Sequence, residues 1–365
     1  MALPLSTAAP GRTVRTAALV GLLILASFGA VYLASDILIP IAFAIVLQLL
    51  LSPLVRLLAR AGIPETLSAG LLLVVVLAGL ALAVYLLAAP AAEWLDRMPE
   101  ITRQLERKLA FLRKPLQDMS RASSQVEAIT SVGPTTPQVA VGQPGLMQAV
   151  AGNVGAIAAV LGITFILAFF LLASGDLFKQ KLVHVMPRLQ DKKRALQIVR
   201  EIEQLVTRYL VTITLVNVAV GVIVGGGMLA LGLPNPLLWA AMAVFLSFIP
   251  VIGAWIGIAA IFIVAVLTFD DLLHAALAPA IYGLVHMVAE NFVTPAVLGR
   301  RLTLNPVIIV LNVIVWVWLW GVPGALLAGP FLVTARVLCD HFPSLGPAGE
   351  FLSGRQDSSK APQGA

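Results

Sequence analysis

Apolar runs of about 20 residues recur from Ala17 to Leu338, and a chain built this way has to fold within a bilayer. Only 12% of its residues are charged and 59% are hydrophobic. Soluble domains carry about 25% charged residues. Hydrocarbon offers backbone N–H and C=O groups no partner, so each run is predicted to satisfy its own as a helix. The fold class that follows is an all-α polytopic membrane protein with about eight membrane segments. The formal net charge is +6. In a membrane protein such an excess belongs to cytoplasmic loops, so no nucleic-acid partner is expected. The one cysteine, Cys339, excludes an internal disulfide and a thiolate metal cluster.

The basic residues orient the runs. Arg12 and Arg15 precede the first run and place the N-terminus in the cytoplasm. Residues 17–34 cross outward, Asp36 and Pro40 make a break, and residues 41–58 return to Arg56 and Arg60. The first run flows straight into the second, so it does not read as a cleavable signal peptide. Residues 67–89 cross outward again. Residues 91–148 are polar. Leu95, Met98, Thr102, Leu105, Leu109, Leu112 and Leu116 recur there at helical spacing, ahead of a Ser, Thr, Gly and Pro-rich linker. This segment is expected outside. Residues 152–173 cross inward to the most basic loop, 174–208, whose second half is an amphipathic helix over 191–210.

The C-terminal half carries a repeat. Residues 210–231 cross outward. The run from Pro236 to Phe269 is too long for one crossing and is interrupted at Phe248-Ile249-Pro250-Val251-Ile252-Gly253. Each arm spans about 21–24 Å of helix against a hydrocarbon core of about 30 Å. Residues 272–293 then cross inward, and a second pair of short arms, 307–320 and 325–338, flanks Gly321-Val322-Pro323-Gly324. One crossing and one broken hairpin, repeated in opposite orientation, is the pattern of secondary transporters with inverted repeats. The expected hairpin tips are Pro250, Gly253, Pro323 and Gly324. The domain reading is therefore N-terminal membrane helices over 1–90, an extracytoplasmic segment over 91–148, a transport core over 149–340 and a flexible cytoplasmic tail over 341–365.

Polar residues at membrane depth are candidate path residues. Glu290 lies near the end of an apolar run and is followed by Asn291, Thr294 and Pro295. Pro295 frees a backbone carbonyl, tolerated at depth where it is buried or lines a cavity. The alternative is that Glu290 lies at the interface and pairs with Arg300. His286 precedes Glu290 by four residues, on the same helix face, which suits a proton relay; its simpler role is a bond to a neighbouring helix. Asn217 is either polar glue between helices or a solute contact. Asp176 caps or salt-bridges the inner end of its helix, Arg300 and Arg301 anchor the inner surface, and Asn305-Pro306 opens the last hairpin.

These motifs resemble those of the autoinducer-2 exporter (AI-2E) family of bacterial permeases. Four blocks match in order: Phe169 to Asp176 ending in Gly-Asp, Phe248 to Gly253, Glu290 to Pro295 continuing through Gly299-Arg300-Arg301 and Asn305-Pro306, and Gly324 to Pro330. The resemblance implies a homo-oligomer in the bacterial inner membrane, with both termini cytoplasmic. It implies export of a small polar solute driven by an ion gradient, or Na⁺(Li⁺)/H⁺ antiport in some relatives.

Other classes fit less well. Ala173-Ser174-Gly175-Asp176 falls one residue short of the Gly-x-Gly-Asp of intramembrane aspartyl proteases, and the partner Tyr-Asp is missing. The four histidines form no zinc motif and no Walker loop is present, so no metal, cofactor or enzymatic activity is expected. The third class is a membrane scaffold or signalling protein without transport; a carboxylate at depth and broken hairpins, each costly to stability, speak against it.

Overall fold

The computed structural model describes residues 10–97, 146–175, 189–298, 305–342 and 345–352, with Lys181 and His184 between the second and third stretches. Most of the 91–148 segment, Asp176, Arg300, Arg301 and the end of the tail lie outside the described residues. Among the described residues there is no strand. The helices are α1 (Pro10–Leu33), α2 (Ser35–Arg60), α3 (Glu65–Asp96), α4 (Leu146–Ala173), α5 (Leu189–Leu231), α6 (Pro236–Leu246), α7 (Ile252–Thr268) and α8 (Leu272–Val288). A π-helical turn (Ala289–Val293), α9 (Thr294–Leu298), α10 (Pro306–His341) and α11 (Gly346–Leu352) follow.

Six of these runs are long and apolar enough to cross a membrane. Their outer faces carry large apolar side chains: Leu67, Leu71, Val74, Leu82 and Tyr85 on α3 are all exposed. In water such a face would be an association hazard. Against lipid it is the favourable arrangement, so the protein is a multi-pass membrane protein.

Two boundaries differ from the sequence reading. The break between the first two runs falls at Ala34, and Pro40 lies inside α2. Thr164 donates its hydroxyl to the Pro40 carbonyl at 3.4 Å, so the disturbed helix has a polar neighbour. The amphipathic helix over 191–210 does not stop before the next crossing. It continues as one 43-residue helix, α5, because no proline or glycine interrupts it before Gly221.

Both expected breaks in the C-terminal half are present. α6 and α7 measure about 17 and about 26 Å, short of a bilayer core of about 30 Å. Ser247 to Val251 separates them. Val251 adopts φ 64° and ψ −58°, and the Ile252 N–H donates to the Pro250 carbonyl at 2.7 Å. This is a γ-turn of the strained kind, unusual for a β-branched residue. The second break is at Gly321, with φ 62° and ψ −137°, a conformation that favours glycine. There α10 folds back on itself. Asn312 Nδ2 donates to the Ala328 carbonyl at 2.8 Å, and the Trp316 and Phe331 rings lie 4.2 Å apart. In a straight helix residues 16 apart would stand about 24 Å from each other. The reversal therefore sits two residues before Pro323, which instead opens the second arm, where a missing N–H is harmless.

The two hairpins share one device. A methyl group built at Gly253 would overlap the backbone carbonyl oxygen of Leu246, and one built at Gly324 would overlap that of Trp316. In each, a glycine in the first turn of the returning arm lets its backbone meet the last turn of the arriving arm.

By contacts the chain divides into two compact units. Residues 1–72, 159–210 and 302–365 form the first. Leu49 of α2, Val206 and Leu210 of α5 and Val333 of α10 make its core, and the Trp320 indole donates to the Val31 carbonyl at 3.1 Å. Residues 73–158 and 211–301 form the second. Its core gathers Val220, Val224 and Met228 of α5, Trp239 and Ala243 of α6, Ile261 and Val264 of α7 and Ala278 and Tyr282 of α8.

Gly253→Ala and Gly324→Ala are each expected to destabilise the protein by about 1–3 kcal/mol, since a backbone carbonyl cannot step aside as a side chain can. Gly226→Ala, with nothing within 4 Å of the added methyl, is the neutral control. Thermal unfolding in detergent measures all three.

Candidate functional site

The second unit builds a polar cluster around the broken hairpin. Its foundation is the seam between α5 and α6. Gly221 of α5 abuts Val244 and the Ala240 carbonyl, and Gly225 abuts Ala240 and the Pro236 carbonyl. The helices are thus antiparallel, with Gly221 and Gly225 one turn apart on one face. One turn further along that face is Asn217, carried to the level of Ser247 at the end of α6. Asn217 is 4% exposed and its Nδ2 has no hydrogen-bond partner among the described residues.

α8 closes the cluster from the other side. Tyr282 is fully buried, with its ring fitted against Gly257 of α7, where a methyl group would collide with the phenol. Its hydroxyl also lacks a partner among the described residues. The His286 ring stacks on Tyr282 with centroids 4.1 Å apart. His286 Nδ1 lies 3.0 Å from the Tyr282 carbonyl, and Nε2 lies 2.9 Å from Ser247 Oγ. Ser247 Oγ is in turn 2.6 Å from the Ala243 carbonyl.

Beyond His286 the helix widens. The Thr294 N–H donates to the Ala289 carbonyl, the five-residue step of a π-helical turn. Pro295 explains it. A proline ring clashes with the carbonyl four residues earlier, here Asn291, and one extra residue in the turn relieves the clash. Glu290 and Asn291 lie in this turn, and Asn291 Nδ2 bonds back to the Met287 carbonyl at 2.9 Å.

The predicted path residues therefore separate. Asn217 and His286 are buried in the unit's core; Glu290 and Asn291 are exposed on its surface, and Thr294 is half-buried. Both ring nitrogens of His286 have partners other than Glu290, so the two do not form the directly bonded relay. His286 instead takes the simpler role, a bond to a neighbouring element. Pro250 lies at the first tip and Gly253 beside it, while Pro323 and Gly324 belong to the first unit. Asn305 caps α10 by accepting from the Val307 N–H at 3.0 Å, with Pro306 at the first helical position.

Sequence reasoning passed over Ser247, Tyr282 and Gly257. One signal was available: Ser247 is the single hydroxyl-bearing residue between Asn235 and Thr268. An apolar groove of about 480 Å³ between α5 and α8, lined by Leu215, Ala219, Ile223, Leu284 and Val288, has Thr212 as its one polar side chain. It offers little to a polar solute. Among the described residues no three His, Cys, Asp or Glu side chains gather to hold a metal.

A family model described as the AI-2E family transporter matches residues 22–344. The chain belongs to the AI-2E transporter family. Its blocks mark the points where regular helix is interrupted: the Phe248 to Gly253 tip, the Glu290 to Pro295 π-helical turn and the start of the second arm at Gly324. Escherichia coli K12 YhhT is 28% identical over 310 residues, covering 84% of this chain and 85% of its own. The AI-2 transport protein TqsA of the same organism is 27% identical over 330 residues, covering 88% of this chain and 91% of its own. Bacillus subtilis YueF is 25% identical over 314 residues, 83% of each. As an AI-2E family member the protein is a membrane transporter.

Asn217→Leu and Tyr282→Phe each remove a buried polar group without a partner among the described residues. Both should leave thermal stability unchanged or raise it by about 1 kcal/mol. Measured unfolding midpoints below wild type would reveal a structural partner for that group.

Proposed function

We propose that this protein is a secondary transporter that exports a small polar organic solute, of the autoinducer-2 kind, across the bacterial inner membrane, driven by an ion gradient. Single cysteines at Ser123 and Ser174 in a Cys339-free chain test the proposed orientation, termini inside and residues 91–148 outside. An impermeant thiol reagent on whole cells should label the first and spare the second.

The observation that carries the transport reading is the set of buried polar groups beside interrupted helix. Asn217 Nδ2 and the Tyr282 hydroxyl are buried without a hydrogen-bond partner among the described residues. A buried unpaired group costs about 1–3 kcal/mol, which a purely structural core would avoid. The π-helical turn puts Glu290 and Asn291 one turn beyond His286. In this reading Glu290, Asn291, Thr294, Asn217 and His286 supply the solute and ion path. The hairpin tips at Pro250 and Gly253, and at Pro323 and Gly324, serve as gates. Asp176 caps or salt-bridges the inner end of its helix, and Arg300 and Arg301 anchor the inner surface. The name of TqsA favours the autoinducer as solute. A second reading, Na⁺(Li⁺)/H⁺ antiport by a homo-oligomer, is favoured by the carboxylate at Glu290.

Proteoliposomes decide between them. Autoinducer-2 and Na⁺ fluxes are measured side by side under imposed pH gradients. Glu290→Gln keeps the shape and removes the charge, and transport should fall by at least about tenfold while folding and assembly size persist. Antiport requires proton-coupled cation flux to disappear in the same variant. Gly253→Leu should likewise abolish flux. Near-wild-type transport by Glu290→Gln would remove Glu290 from the path.

A further inference from the structure

Hydrogen-bond accounting at Ser247 leaves one proton short. Three bonds run in a line: Tyr282 carbonyl to His286 Nδ1 at 3.0 Å, His286 Nε2 to Ser247 Oγ at 2.9 Å, and Ser247 Oγ to the Ala243 carbonyl at 2.6 Å. Both ends are carbonyl oxygens, which only accept. Nδ1 must donate to Tyr282, and the Ser247 hydroxyl must donate to Ala243. Ser247 has a single hydrogen. All three bonds together therefore require Nε2 to donate to Ser247 Oγ, and that requires a proton on each ring nitrogen of His286. A neutral His286 that keeps its proton on Nδ1 has to take the serine hydrogen on Nε2, and the Ala243 bond is lost. A neutral His286 with its proton on Nε2 sets a bare Nδ1 against the Tyr282 carbonyl.

We propose that His286 is a proton-binding site whose occupancy controls the Ser247 bond to α6, and through it the tip of the first hairpin. The step balances simply. A proton passes from a solvent hydronium ion, which leaves as water, to Nε2; the Ser247 hydroxyl turns from Nε2 to the Ala243 carbonyl, and the new Nε2–H donates to Ser247 Oγ in place of the bond it lost. Ser247 is positioned to transmit the change because it is the last residue before Phe248-Ile249-Pro250-Val251. The Val251 γ-turn holds that segment in a strained conformation, and strained segments are poised between alternatives. With the proton bound, Ser247 is pinned to α6 and to α8 together. With it released, the link to α6 opens.

The titratable groups near His286 are Tyr282 and Glu290 on its own helix, and Glu93 and Asp96 lie beside Trp94 on α3. α5 from Val211 onward, α6, the tip and α7 carry no Asp, Glu, Lys, Arg, His, Tyr or Cys. α3 enters this core with Trp94, which meets Trp239, about 12 Å of helix away from Ser247 along α6. On its own helix His286 faces the stacked Tyr282, and Glu290 follows one turn later. This inference rests on the transport reading for its purpose, a proton as coupling ion, while its structural claim stands apart from any solute.

The test uses the full chain in lipid nanodiscs with ¹⁵N in the histidine rings, His286 being assigned by its loss in His286→Gln. At alkaline pH, Nδ1 should be protonated and Nε2 bare. On acidification across about pH 9 to 5, Nε2 should gain a proton. Over the same range amide hydrogen exchange of residues 244–254, corrected for intrinsic rates, should slow by about tenfold. Ser247→Ala should erase that step while His286 still titrates. Nε2 that stays bare, or stays protonated, throughout the range overturns the proposal, as does a full exchange step in Ser247→Ala. Liposome fluxes of autoinducer-2 and Na⁺ are scored separately. Titration without either flux defeats the transport reading and leaves the proton site; flux without titration defeats the proton site alone.

Discussion

Hydrocarbon supplies no hydrogen bonds, and the rest of this structure follows from that constraint. Each interruption of helix has to find partners for the backbone groups it releases. The first tip does so within itself. The Ile249 N–H donates to the Leu246 carbonyl at 2.9 Å, the Ile252 N–H to Pro250 and the Gly253 N–H to Ile249 at 3.0 Å. The π-helical turn closes through Thr294 and Ala289. At the second hairpin a side chain helps, as Asn312 reaches across to the Ala328 carbonyl. The breaks are compact because every residue added to them would release more groups to satisfy.

Close packing at those breaks depends on the absence of side chains. Gly253 and Gly324 let two arms meet backbone to backbone, and Gly221 and Gly225 do the same between α5 and α6. Where lipid surrounds a protein, apolar side chains gain little by leaving it for one another. Close approach and directed hydrogen bonds then carry more of the association. Buried Asn217, Tyr282 and His286 and half-buried Ser247 lie in the same small-residue seams. The same seams that allow tight packing also bring polar groups together, which suits a transporter.

The sequence by itself determined the class. Twelve per cent charge and long apolar runs allow little but a helical membrane protein, because partitioning into lipid depends on composition and length alone. It also located the interruptions to within a few residues. Proline and glycine act through local backbone geometry, legible without neighbours. Pro295 predicted disturbed backbone near Asn291, and the π-helical turn is there. The unbroken run through Leu210 was equally legible in principle, since nothing between Leu189 and Gly221 stops a helix.

Tertiary structure decided the rest. Spacing put His286 and Glu290 on one helix face, but which side of that face is buried depends on what packs against it. α6 and its tip took His286 through Ser247, 39 residues away in sequence, and left Glu290 exposed on the unit's surface. Gly257 gave no sign of its role until Tyr282 filled the space above it. The reversal settled at Gly321 rather than at Pro323 because a φ of 62° suits glycine, whereas proline is fixed near −65° and fits the first turn of a helix. Contacts between distant segments are set by which surfaces fit together, a property that a local pattern of residues does not carry.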